Sequence, residues 1–188
     1  MGLPLKKVSP AEYLAWEEEQ PERYEYVDGE IFAMVGGWRR HHQIVVKPVR
    51  HLDEHLEDTP CEVASETMKL RIGGDAVFYP DILVTCDPKD LARQQYCESP
   101  FLIVEVLSPS TEAYDRTRKF ELYRRIASLR EYVLIDPETL RIEVFRLGND
   151  GLWALHDQSG GPSLSLQSLD FELPLRQLFR RLKPPVFP

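Results

Sequence analysis

The spacing of apolar and polar positions changes period several times along the chain, and each change predicts an element. Residues 9–20, SPAEYLAWEEEQ, open on a helix-start signal, with Ser9 as N-cap, Pro10 at the first helical position and Glu12 in the first turn; Pro21 ends it. RYEYVDGEIFAMV then alternates. Two β-rich runs, 23–27 and 30–35, flank Asp28-Gly29, a dipeptide that tolerates the positive φ angles of a two-residue hairpin. Beyond Gly36-Gly37, residues 38–57 have helical spacing, and Pro48 inside them predicts a kink or a split into two helices.

Residues 61–72, CEVASETMKLRI, alternate as a strand that stops at Gly73-Gly74. Residues 77–85, VFYPDILVT, form a second strand in which Pro80 marks a start or an edge. After a loop or short helix over 87–100 comes FLIVEVL, 101–107, apolar at every position but Glu105, a density that predicts a strand covered on both faces. SPST makes the turn, 115–128 an amphipathic helix, and EYVLID with RIEVFRL a hairpin around Pro137-Glu138-Thr139. The tail holds a loop, one more strand and a short helix near 175–182. The order predicts a mixed α/β (α+β) architecture, with one central mixed sheet flanked by helices and with N-terminal and C-terminal hairpins. We expect a single domain over 1–188, its core at about 22–147.

Composition narrows the class. With 43% hydrophobic and 29% charged residues the chain reads as globular, and no apolar run approaches a membrane span. The N-terminus carries two lysines but no apolar h-region, so no signal peptide is expected and a cytoplasmic location follows. Three cysteines, Cys61, Cys86 and Cys97, form no CxxC and leave one over in any pairing, so buried reduced thiols are expected. A net charge of −8 argues against nonspecific coating of nucleic acid. Local basic clusters remain at Arg39-Arg40, at Arg116 and Arg118, and at Arg124-Arg125.

Candidate chemistry lies in acidic residues within apolar strands. By strand alternation Asp81 shares a face with Leu83, and Glu105 with Ile103 and Leu107; paired in suitable register, the two carboxylates enter one pocket. Adjacent carboxylates repel unless a cation meets them, and hard divalent cations prefer oxygen ligands. The alternative partner for Glu105 is an arginine or lysine on a covering helix. Lys119 supplies one: Lys119, Leu122, Tyr123 and Ile126 fall on one helical face, so the lysine stands on the apolar stripe, with Asp115 one turn before it.

The ordered series VDGEI, YPDILVTC, IVEVLSPST, DRTRKFELY and LREYVLIDP resembles the restriction-endonuclease family of the Uma type, within the PD-(D/E)XK phosphodiesterase superfamily. The resemblance implies a restriction-endonuclease-like core and a metal-dependent DNA endonuclease. It makes Asp81 and Glu105 ligands of Mg2+ or Mn2+, Glu30 a further acid from the N-terminal hairpin, and Lys119 the group that positions the attacking water. The superfamily lysine two residues after the acid is Leu107 here, and Lys119 fits a relocation to the following helix. Asp115 and Tyr123 would orient Lys119, and His41 matches a helix histidine of the family. A DNA substrate and a homodimer are expected, because one site cuts one strand, and no membrane is involved. The chain departs from the family at Val46-Lys47-Pro48, where a kink would alter entry to the site. Two other readings stand beside this one: HLDEH, 51–55, as an H-x-x-E-H zinc helix, and a nuclease-like module that binds without cutting.

Overall fold

A computed structural model describes residues 7–34 and 38–182. Helix α1 (Pro10–Glu17) starts with the expected capping box: Ser9 accepts from the Glu12 N–H while the Glu12 carboxylate accepts from the Ser9 N–H at 2.8 Å. The hairpin β1 (Tyr24–Val27) and β2 (Glu30–Ala33) turns at Asp28 and Gly29, both at positive φ (51° and 92°). The end of the run expected over 30–35 falls at Val35, outside the described residues.

Helix α2 (Arg39–Leu56) runs unbroken through Pro48, so the expected split does not occur. Pro48 lies on the buried stripe with Ile44, Leu52 and Leu56, at intervals of four residues that face the core. Its neighbour Lys47 reaches the last carbonyls of the C-terminal helix, bonding Leu178 O at 2.6 Å, which is where a cation suits a helix end. The departure at 46–48 thus ties two helices together.

The remaining elements are β3 (Glu62–Ser65), β4 (Lys69–Ile72), β5 (Ala76–Phe78), β6 (Ile82–Thr85), α3 (Pro88–Leu91), β7 (Tyr96–Cys97), β8 (Pro100–Val106), α4 (Glu112–Tyr114), a π-helical turn (Asp115–Lys119), α5 (Phe120–Tyr123), β9 (Glu131–Asp136), β10 (Arg141–Leu147), β11 (Trp153–Asp157), β12 (Ser163–Leu166), a 3-10 turn (Gln167–Leu169), β13 (Phe171–Pro174) and α6 (Leu175–Leu178). They build two main sheets where one was expected. The larger has the order β11-β10-β9-β8-β6-β3, antiparallel except for the parallel β8–β9 pair; the smaller has the order β2-β1-β5-β4-β7, and β12–β13 form a separate ribbon.

The second sheet arises because both strands expected over 61–85 change sheet partway. The run 61–72 breaks at Glu66, whose φ of 41° turns the chain, and 77–85 breaks at Pro80, which cannot donate to a ladder. The breaks meet: the Glu66 N–H donates to both Pro80 O and Asp81 O at 3.2 Å. One corner of the molecule therefore carries both crossings.

The larger sheet is covered on both faces. Leu102, Val104 and Val106 of β8 join the core under α2 and the C-terminal ribbon, whereas Ile103 and Leu107 pack with Leu122, Tyr123 and Tyr132 on the other side. The cysteines correct the expectation of three thiols. Cys61 and Cys86 are disulfide-bonded, each one residue beyond the paired ends Glu62↔Thr85 of β3 and β6, with Cα atoms 4.1 Å apart; Cys97 is free and buried. Directly opposed antiparallel positions come that close, so the pairing follows from register, which residue spacing does not reveal. Among the described residues no helix is long and apolar enough to cross a membrane.

Candidate active site

Asp81 stands just before β6, at the sheet-switching corner, and Glu105 near the end of β8. The register Leu83↔Ile103 brings the two side chains together from opposed strands. The Asp81 N–H points at Glu105 Oε2 at 3.4 Å, and the Val106 N–H donates to Asp81 Oδ2 at 2.6 Å. Their depths differ: the Glu105 side chain is 3% exposed and that of Asp81 16%. Glu105 is the floor and Asp81 the mouth.

Lys119 meets Glu105. It ends the π-helical turn and lies within 3.2 Å of Glu105 Oε1, and 3.3 Å from carboxylate oxygens of both Asp115 and Glu25. The Tyr123 hydroxyl donates to the same Glu105 oxygen at 2.7 Å, and the ring of Phe78 packs edge-on against Tyr123. The sequence places Lys119, Tyr123, Leu122 and Ile126 on one face, and all four are buried. The segment expected as one α-helix over 115–128 instead begins at Glu112, winds as a π turn over Asp115–Lys119 and ends at Tyr123. Such turns are rare and recur at functional sites.

Burial sets the protonation of the floor. Desolvation pushes the Glu105 carboxyl well above its ordinary range, with Lys119 opposing it and the Asp81 and Asp115 carboxylates adding to it. Burial alone would lower Lys119, but Glu105, Glu25 and Asp115 outweigh it and hold the ammonium charged. Burial likewise raises the Tyr123 phenol, so it stays a donor toward Glu105.

The N-terminal acid that the structure brings in is Glu25. Its Oε1 contacts Lys119, and the Tyr79 N–H points at it from 3.5 Å. Glu30 is exposed, opposite Val27 at the hairpin turn, and the structure does not bring it into the cluster. Glu25 and Val27 alternate onto the face that meets β8 and Lys119, a signal present in YEYV but shared by both glutamates of the hairpin.

His41, from the first turn of α2, reaches the mouth. Its Nε2 lies 3.0 Å from Asp81 Oδ2, and the side chain is 14% exposed. Burial would lower the imidazole, but its bond to Asp81 and the charges of Asp81, Glu66 and Asp115 raise it above the ordinary value. Glu66, at the corner opposite, was not a sequence candidate: it sits inside a run that alternates as one strand. One ligand-capable atom from each of His41, Glu66 and Asp81 falls within 4.8 Å of the others, a group able to hold a metal ion.

The arginines near Lys119 are already engaged. Arg116 pairs with Glu112 at 2.8 Å and Glu143 at 2.5 Å, Arg118 with Asp28 and Glu121, and Arg125 with Asp75 and Glu121, while Arg124 lies over the Phe120 ring. In HLDEH, His51 lies 3.6 Å from Glu54 and His55 bonds Leu169 O at 2.9 Å and packs on Phe171. These residues are a half-solvated helix face packed on the C-terminal ribbon. The zinc-helix reading is set aside.

A mixed sheet covered by helices, with paired acids on neighbouring strands and a buried lysine beneath, defines a restriction-endonuclease-like nuclease fold. A crystal structure titled as a "putative nuclease belonging to DUF820" from Anabaena variabilis superposes with a TM-score of 0.76 at 19% identity, covering 94% of this chain and 99% of that one. Residues 10–176 match the Uma2 family, described as "Putative restriction endonuclease", and the chain belongs to that family. Two proteins of Synechocystis sp. PCC 6803 are similar. One, uncharacterized protein slr1290, is 39% identical over 180 residues, 95% of each chain; the other, sll1609, is 35% identical over 158 residues, 82% of this chain and 89% of that one.

Proposed function

We propose that this protein is a metal-dependent phosphodiesterase that cleaves DNA as an endonuclease, in the cytoplasm and as a homodimer. The observation that carries this reading is the juxtaposition of Asp81 and Glu105 across β6 and β8 with Lys119 3.2 Å beneath. The donor set fits a hard divalent cation such as Mg2+ or Mn2+. Asp81 keeps one oxygen without a hydrogen bond among the described residues, and Glu105 Oε2 accepts only a 3.4 Å contact. Asp81 and Glu105 would hold such a cation, which would supply Lewis acidity toward a water and a phosphoryl oxygen.

The chain's own groups divide the remaining work. Lys119 offsets negative charge that grows in the transition state and orients the attacking water. Tyr123 and the Val106 N–H hold Glu105 and Asp81 at fixed angles. Glu25 and Asp115 keep the lysine charged and pointed inward. His41 fixes Asp81 at the mouth.

One observation favours a second reading, a nuclease-like module that does not cut: Lys119 and Tyr123 both engage Glu105 Oε1, so the buried carboxylate already has a cation and a donor of its own. The test is cleavage of supercoiled plasmid and of single-stranded DNA in Mg2+ and in Mn2+, beside Asp81→Asn. Nicking by the wild type that chelation stops and Asp81→Asn lacks supports the nuclease. Intact DNA under every metal condition, or equal nicking by wild type and variant, refutes it.

A further inference from the structure

His41, Glu66 and Asp81 come from α2, the β3–β4 corner and the start of β6, three elements held together at the sheet crossing. Asp81 Oδ2 is taken by His41 and the Val106 N–H, while its other oxygen has no hydrogen bond among the described residues. The Glu66 carboxylate likewise makes no hydrogen bond or ion pair among them. Its backbone is fixed on both sides: the N–H bonds Pro80 and Asp81, and the carbonyl accepts from Arg23 at 2.9 Å. The backbone that carries this carboxylate is thus held in place, while the carboxylate itself has no hydrogen bond or ion pair among the described residues.

Charge is unevenly distributed across the site. Lys119 has three carboxylates around its ammonium, those of Glu25, Glu105 and Asp115, which matches its three donor hydrogens. Among the described residues no lysine or arginine pairs with the Asp81 or Glu66 carboxylate, Arg23 reaching only the Glu66 carbonyl; the His41 ring faces them, and one ligand-capable atom from each of the three lies within 4.8 Å of the others. Glu105 is the poorer ligand of the two strand acids, since one oxygen is occupied by Lys119 and Tyr123 and the side chain is almost wholly buried.

We propose that His41, Glu66 and Asp81 form the principal cation site, and that its imidazole makes it selective for a first-row transition ion, Mn2+ over Mg2+. The reason is ligand chemistry. Mg2+ dehydrates reluctantly and prefers oxygen, whereas imidazole nitrogen suits the later divalent ions and is tolerated by Mn2+. The inference rests on the metal-dependent reading above and deepens it. Asp81 is common to both settings; His41 and Glu66 flank it on the exposed side and Glu105 on the buried side.

The test is titration of the full chain with MnCl2 and with MgCl2 by calorimetry, together with electron spin-echo modulation of the Mn2+-loaded protein, which detects a directly bound imidazole nitrogen. The expected result is a Mn2+ Kd about tenfold or more below that for Mg2+, with nitrogen modulation in the wild type. His41→Gln and Glu66→Gln each weaken Mn2+ by about tenfold or more, and His41→Gln erases the modulation, while Glu105→Gln, which leaves the imidazole in place, keeps it. The spectrum of the wild type decides the point even if a variant fails to fold. Mn2+ bound without nitrogen modulation, and lost in Glu105→Gln, overturns this site but leaves the nuclease reading standing on Asp81 and Glu105. No Mn2+ binding also overturns it, and the plasmid assay with Asp81→Asn then decides the nuclease reading separately.

Discussion

Replacing Lys119 by methionine tests the physical account of the floor most directly, because Met keeps the length and apolar stem of the side chain and removes only the ammonium. Its Nζ is 3.2 Å from Glu105 and 3.3 Å from Glu25 and Asp115. At an effective dielectric of about 20, each contact is worth roughly 5 kcal/mol before desolvation. Burying the ammonium consumes much of that sum, so the attraction is not the loss to expect. Removing one partner of a buried pair costs about 3–5 kcal/mol, because the other is left uncompensated. For a chain of this size that is a fall in Tm of roughly 10 °C.

The variant has a way to relax: its stranded carboxyls keep their protons. Burial already holds Glu105 and Asp115 above their ordinary values, and loss of Lys119, which lowers both, raises them further. A carboxyl whose folded pKa lies above its unfolded value contributes stability that is fully present below the unfolded value, near 4, and is lost as pH rises through the folded one. The deficit of Lys119→Met should therefore be small at pH 5 and grow toward pH 8, by up to about 1.4 kcal/mol per pH unit for each proton retained. Urea unfolding followed by circular dichroism at pH 5 and 8 measures it. Adding Glu105→Gln should recover part of the loss at pH 8. A deficit under about 1 kcal/mol, or one that does not change with pH, refutes a lysine that offsets the charge of these buried carboxyls.

Four further outcomes follow from the same geometry. Tyr123→Phe removes the donor 2.7 Å from Glu105 and should cost about 1–3 kcal/mol, read by urea unfolding; no loss would mean another donor takes its place. Asp81→Asn should reduce metal-dependent cleavage on the order of a hundredfold or more in the plasmid assay while the Tm stays close to wild type. In chelator, the stabilisation from the His41–Asp81 contact should be fully present below about pH 6.5 and lost as pH rises through the raised pKa of His41, so His41→Gln should destabilise more at pH 6 than at pH 9. Reducing Cys61–Cys86, which closes a sequence separation of 25, should cost about 3 kcal/mol; equal thermal melts with and without reductant would count against the bond.

The parts of this fold that were legible are those in which a local period persists. The capping box, the Asp28-Gly29 hairpin and the doubly covered β8 each follow from a few adjacent residues, and alternation alone placed Asp81 and Glu105 on facing sides of their strands. The two sheet crossings were not legible, because the apolar period stays near two through Glu66 and Pro80 while the backbone changes partners. Cys61 and Cys86 were missed for the same reason: their proximity exists only once β3 and β6 are paired. Glu25 and Glu30 sit in one hairpin with similar neighbours. Which of them turns toward Lys119 depends on how the smaller sheet meets the larger, which no local signal encodes.

The π turn shows why the lysine can act from a helix rather than from the strand. The position two residues after Glu105 is Leu107, just past the end of β8 and buried among Leu122 and Tyr123, and a cation there would displace part of the apolar packing on that face. The turn over Asp115–Lys119 delivers an ammonium to the same carboxylate from the opposite layer, and Tyr132 fixes the start of that turn by donating to Asp115 O at 3.0 Å. The cost is a second acid, Asp115, buried beside the lysine it accompanies. With Glu25, Glu66, Asp81 and Glu105 that makes five carboxylates around one lysine and one histidine. An excess of that size, in a pocket of low dielectric, has to be relieved by protons or by cations. Glu105 already shows the first form of relief in its raised pKa, and the open side of Asp81 is where the second has room.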